Sequence, residues 1–222
     1  VGAVLGARVV SKTIIVLEGG YMRFDYPNSN RDGDRTYYRG GVSWAVTWKT
    51  TGTFNYGYEE YKADNAGEPV ESNEPGTSAG ILTDSDGPTW KGEILWQPTR
   101  RDVVSFSTGK ATQVSYGIGT NKIAARTLLN WGHSWSSKIG SNIGYTFGDD
   151  EYIGFPRDDD IELFDLSLSY KPKDNHVIRA GWNYENRDSN IDLETYSRNR
   201  YSVLYGYEFW ASLLGWKNLI MN

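Results

Sequence analysis

The 222-residue sequence predicts an all-β protein, an antiparallel up-and-down transmembrane β-barrel, on three observations. Large apolar residues recur at every second position, as in Tyr38, Val42, Trp44, Val46 and Trp48 against Arg39, Gly41, Ser43, Ala45 and Thr47. That is the side-chain period of a strand with one apolar and one polar face. Short and long polar breaks alternate between the runs, as the tight periplasmic turns and longer outer loops of a membrane barrel do. Finally, no run approaches the roughly 18 apolar residues of a spanning helix.

The elements follow in chain order. Runs near 2–10 and 14–26 meet at the short break 11–13, and the polar segment 27–35 leads into 36–48. The break 49–52 opens 53–63, where Phe54, Tyr56 and Tyr58 oppose Asn55, Gly57 and Glu59. A long segment, 64–88, precedes the strand 89–97; the break 98–102 precedes 103–115, and a brief break at 117–121 precedes 121–135. Residues 136–138 turn into 139–148, and the Asp-rich stretch 148–160 leads to 160–171. There Phe164, Leu166, Leu168 and Tyr170 oppose Asp165, Ser167, Ser169 and Lys171. The turn 171–175, a strand 176–186, the polar segment 186–195 and a strand 196–209 complete about eleven strands. Single-chain bacterial barrels have even strand numbers, so at least one further strand is expected, at the N-terminal end. Residues 1–209 form the barrel domain in this reading, and 210–222 a tail that leaves the alternation.

Composition narrows the function classes. The net charge of −5 argues against nucleic acid as a partner. The absence of Cys removes disulfides and thiolate metal sites. The first residues, Val-Gly-Ala-Val-Leu, lack an initiator Met and a basic n-region, so a removed signal peptide or a fragment is expected.

On the polar face the alternation places Arg39, Glu59, Lys91, Glu93, Arg126, Asn130, Asp165, Lys171, Arg179, Asn183 and Glu185 as pore-lining residues of mixed sign. On the apolar face Trp44, Trp48, Trp90, Trp96, Trp131, Trp135, Tyr145, Tyr170, Trp182 and Tyr184 suit membrane-interface girdles, since their rings join an apolar body to a polar handle. Segment 64–88 carries six carboxylates and no Lys or Arg. Folded inward it would narrow the pore and favour cations; the alternative is a disordered external loop.

Two acidic clusters, Asp149-Asp150-Glu151 and Asp158-Asp159-Asp160, flank one segment. Their spacing matches no ordered Ca²⁺ loop, so solvated loop charge is expected there, with Arg157 equally placed to pair with these carboxylates or with lipid phosphate. The two histidines, His133 and His176, fall at the tight-turn end and assemble no catalytic constellation. No enzyme activity, no cofactor and no metal site are therefore expected.

Three segments carry a family resemblance: Leu95-Trp96-Gln97-Pro98-Thr99-Arg100-Arg101-Asp102, Asn130-Trp131-Gly132-His133-Ser134-Trp135-Ser136-Ser137-Lys138, and Asn186-Arg187-Asp188-Ser189-Asn190-Ile191-Asp192 before Tyr196-Ser197-Arg198-Asn199-Arg200-Tyr201. They resemble the putative β-barrel porin 2 family. The resemblance implies a Gram-negative outer-membrane barrel associated with exopolysaccharide or capsule export, passing polysaccharide or small solutes. Its implied partners are outer-membrane lipid and lipopolysaccharide, the barrel-assembly machinery and polysaccharide export components. Tyr207 and Phe209 end the last strand in a pattern that resembles the assembly signal of outer-membrane proteins. Competing expectations are a closed structural or enzymatic barrel, and a soluble carbohydrate-binding β-sandwich.

Overall fold

The computed structural model describes residues 1–71, 80–114 and 121–207. They form one antiparallel sheet of eleven strands in sequence order. The strands are β1 (Gly2–Val10), β2 (Thr13–Phe24), β3 (Gly33–Thr47), β4 (Thr50–Ala63), β5 (Ser85–Trp96), β6 (Asp102–Val114), β7 (Asn121–Ser134), β8 (Ile139–Tyr152), β9 (Asp158–Tyr170), β10 (His176–Ser189) and β11 (Tyr196–Tyr207). One 3₁₀ turn, Asp192–Glu194, separates β10 from β11. Each strand pairs with its neighbours in the chain, so the topology is a meander and a sandwich is excluded: no second sheet covers the apolar face among the described residues.

Tight turns use local side-chain acceptors. The Lys49 amide donates to the Thr47 hydroxyl, Arg101 to Thr99, and both Lys138 and Ile139 to Ser136. Such short hydroxyl bonds hold a reversal that the strand ladder alone cannot satisfy.

Strand existence and order match the sequence expectation, while several strands run further than expected. β8 reaches Tyr152 and β9 starts at Asp158, which leaves only residues 153–157 between them. That link is as short as the turn 97–101 at the other end. Connection length therefore does not alternate strictly; here the extra residues lengthen the hairpin instead of the loop.

The sheet has two edges, β1 and β11, which do not pair with each other among the described residues. An odd number of alternating strands makes both edges run the same way, toward the tight-turn end. The two edges therefore cannot meet as an antiparallel pair. Both are fully open: Val4, Leu5, Tyr201 and Val203 are exposed. The tail expectation, Phe209 and the break at 117–120 lie outside the described residues, and Tyr207 closes β11.

Candidate functional site

Cross-strand register sorts the side chains into two faces. One register row runs Asn130–Gly144–Asp165–Asn183–Arg200 and the neighbouring row Trp131–Ile143–Leu166–Trp182–Tyr201. Because pleating alternates, the first row shares a polar face and the second an apolar one. The polar face is concave. The Arg39 guanidinium donates to the Thr89 hydroxyl at 2.9 Å, reaching from β3 past β4 to β5. Arg35 donates to the Thr112 carbonyl of β6 at 2.9 Å, across two intervening strands. Three strand spacings in a flat sheet are about 14 Å, beyond an arginine side chain. Only a sheet curled around its polar face brings these groups together.

Three ion-paired clusters occupy the long-loop half of this concave wall. In the first, Arg35 meets Glu59 at 3.0 Å and Arg39 lies 3.6 Å from Glu18, with both guanidinium groups over the Tyr37 ring. The Thr112 amide also donates to Glu59. In the second, buried Asp150 accepts from Lys122 at 2.7 Å and Arg126 at 2.5 Å. In the third, Asp159 takes two bonds of 2.8 Å from Arg157 and one of 2.9 Å from Arg187. Arg157 lies over the Tyr152 ring and pairs with Glu194 at 3.0 Å. Beside it Glu185 binds Arg198 and the Tyr196 hydroxyl.

The acidic clusters are thus strand pairs and not loops; four of the six carboxylates stay exposed, and only Asp150 and Asp159 leave solvent. Asp149, Asp150 and Glu151 stand opposite Asp160, Asp159 and Asp158. Alternation turns Asp150 and Asp159 into the concave wall, only 0% and 1% exposed, and leaves their neighbours on the outer face. Of the two partners the sequence leaves open for Arg157, the structure has the carboxylate, that of Asp159.

A cap crosses the long-loop mouth. Val70 and Leu82, from the segment between β4 and β5, are buried against Tyr61, Ala63 and the partly buried Phe24. Short ladders hold it: Gly67 to the Leu82 carbonyl at 2.7 Å and Leu82 to the Glu68 carbonyl at 2.8 Å. The link between β2 and β3 joins through Asn30, whose amide donates to the Pro69 carbonyl and whose oxygen accepts from the Glu71 amide. On the far side, the Ile81 amide donates to the Gly154 carbonyl of the β8–β9 link at 2.8 Å. Gly67, Gly80 and Gly154 take φ of 93°, 105° and 74°, a region that side chains disfavour. The described part of segment 64–88 is therefore folded over the concave face, and Glu74 lies outside the described residues.

One ion pair pins the start of the cap: Asp64 accepts two bonds from Arg23, at 2.8 and 2.6 Å. The Arg23 guanidinium holds the Asp64 carboxyl below its usual range. A carboxyl depressed in the folded state stabilises it fully above the unfolded aspartate range, and loses that effect as pH falls through the lower folded value. Acidification through and below the ordinary aspartate range is accordingly expected to loosen residues 64–71, read as faster proteolysis there, while Asp64→Asn removes the pH dependence.

The tight-turn half of the wall is different. It presents Ser105, Ser107, Asn130, Asn142, Ser167, Ser169 and Ser202 on the concave face. The Asn142 amide donates to Asn130 at 2.7 Å, and the Asn183 amide to Asp165. Lys91 and Glu93 pair with each other at 3.2 Å, both largely exposed. The register places Arg39, Glu59, Lys91, Glu93, Arg126, Asn130, Asp165, Arg179, Asn183 and Glu185 on the concave face. Lys171 lies instead in the turn beyond β9, where its amide donates to the Lys138 carbonyl. Sequence reasoning missed Glu18, Arg35, Lys122, Asp150, Asp159 and Arg187. Extending the period of two through the Asp-rich runs would have found the last three.

The convex face carries exposed apolar rings and aliphatic chains. Trp96 ends β5, Trp48 and Trp135 occupy tight turns, Tyr170 ends β9, and Trp44 and Trp131 stand a few residues inside their strands. Trp90 and Trp182 lie deeper in β5 and β10, with Trp182 donating to Asn199 at 2.9 Å and Trp90 to Thr108. Tyr145 donates to Glu162. Tyr184, opposite Phe164, shares this face. His133 sits edge-on to Trp135 and 2.7 Å from Asp102, which also accepts from the Trp131 indole. Ser141, opposite His133, accepts from the Trp135 indole at 2.9 Å. His176 contacts the Tyr205 hydroxyl.

The family described as putative beta-barrel porin 2 matches residues 17–205. Two solved structures of the FrpB iron transporter from Neisseria meningitidis share the fold. The F3-3 variant has 11% identity over 93% of this chain and 40% of that one, with a TM-score of 0.61. The F5-1 variant in its apoprotein form has 10% identity over 94% and 40%, with a TM-score of 0.63. The chain spans about two fifths of the length of these transporters. No curated protein sequence matches it.

Proposed function

The chain belongs to the putative beta-barrel porin 2 family, and on that premise we propose that it forms the wall of a passive outer-membrane pore in a Gram-negative exopolysaccharide export system. The observation that carries this reading is the inversion of the sheet: from β3 to β10 mostly polar groups line its concave side, and aromatic and aliphatic groups its convex side. A water-soluble protein buries its apolar face, whereas a pore turns it to lipid and keeps water within. The serine- and amide-rich tight-turn half supplies donors and acceptors for hydroxyl-bearing solutes passing without bond making or breaking. The paired long-loop half and its cap set the narrowest part of the path. Lipid, lipopolysaccharide and the barrel-assembly machinery are the partners this reading requires.

Planar-bilayer conductance of the detergent-purified chain tests it. Discrete unit steps are expected. A folded, β-rich chain that gives none would overturn the open-pore reading, in favour of a sheet left open at β1 and β11 or of a closed structural barrel, the latter suggested by the ion pairs and cap that fill the long-loop half.

A further inference from the structure

We propose that the concave surface of β9, β10 and β11, from the tight-turn end to mid-strand, is a recognition patch for an anionic, hydroxyl-rich solute of the acidic-saccharide class; this rests on the pore reading above. The arginines of the long-loop half are tied down: Arg39, Arg126, Arg157, Arg187 and Arg198 all hold carboxylates. Arg179 and Arg200 share the same face and are exposed, and their guanidinium groups make no hydrogen bond or ion pair among the described residues.

The register builds a patch around them. Arg179 stands beside Ser169 of β9, and Arg200 beside Asn183, which is itself bound to Asp165. Between the two arginines Gly181 lies between Ser167 and Ser202. A side chain at Gly181 would start 2.9 Å from the Ser202 hydroxyl, so its absence leaves a shallow floor edged by hydroxyls. Guanidinium forks grip carboxylate, sulfate or phosphate in a planar bidentate mode. Serine and asparagine meet neutral hydroxyls. Asp165 is the one carboxylate in these rows, and Asn183 already occupies it. The local charge is therefore positive in a chain whose net charge is −5, the excess acid being on the outer face and the links.

The test uses the full chain folded in detergent, with polygalacturonate as the anionic probe and dextran as the neutral one, by titration calorimetry. Polygalacturonate is expected to bind, more weakly as salt rises, and dextran to bind far less. Replacing Arg179→Gln and Arg200→Gln together should weaken polygalacturonate binding by roughly ten- to a hundredfold, the loss of charge-assisted bonds. Both side chains are exposed, and unchanged β-type circular dichroism verifies folding. Equal binding of the two probes, or unaltered polygalacturonate binding by the double variant, overturns the patch. A chain that conducts but ignores polygalacturonate loses this inference and keeps the pore. A chain that binds it yet never conducts keeps the patch and loses the pore.

Discussion

Asp159→Ala is expected to lower the stability of the folded sheet by about 3–5 kcal/mol, the cost of removing one member of a buried charge set. Asp159 is essentially inaccessible and faces two guanidinium groups, those of Arg157 and Arg187. Its loss leaves two cations in the wall, near the Tyr152 and Tyr196 rings, with Glu194 alone opposite Arg157. Asp159→Asn keeps the shape and an acceptor, and should recover part of the loss. Lys91–Glu93 provides the contrast. That pair is well solvated, and Glu93→Ala should change stability by less than about 1 kcal/mol. Urea unfolding in detergent micelles, followed by tryptophan fluorescence, measures all three. A small effect at Asp159 would mean that water reaches the cluster and screens it.

The second large effect concerns the cap. Leu82→Asp should detach the segment between β4 and β5 from the wall without unfolding the strands. Leu82 is buried against Tyr61, Ala63 and Val70, and a carboxylate placed there has no cation within that cluster. Removing a buried leucine alone costs about 2–5 kcal/mol, as much as the few backbone bonds of the cap hold net, and the unpaired carboxylate adds to that cost. Amide exchange should therefore quicken at Gly67, Val70, Ile81 and Leu82, whose bonds close the cap, while β6 to β10 stay protected. In a bilayer the unit conductance should rise, because the strap that Ile81 ties to Gly154 no longer crosses the mouth. Unchanged conductance with a loosened cap would place the constriction among the ion pairs below it.

The strand pattern and the two-faced character of the sheet were legible in the residues themselves. In the strand bearing Phe54, Tyr56 and Tyr58, alternation is a local property, since one peptide unit reverses the side-chain direction whatever lies beyond it. The same rule put Asn130, Asp165 and Asn183 on one face. Other features had no local signature. Asp150 and Asp159 sit in Asp-rich stretches that read as loops, because isolated carboxylates prefer water. They become strand residues only where Lys122, Arg126, Arg157 and Arg187 converge from adjacent strands and links to neutralise them.

The cap is a tertiary product in the same way: Leu82 and Val70 appear as stray apolar residues in an acidic segment until Tyr61 and Ala63 give them a surface to cover. Concavity also depends on contacts between strands far apart in sequence, such as Arg35 of β3 with Thr112 of β6. What the sequence alone determined was which residues alternate and where the chain turns, because backbone geometry decides those within a few residues. Only the tertiary structure decided which charges are buried, which way the sheet curls and what crosses its mouth, because desolvation and charge pairing depend on neighbours that the chain brings together by folding.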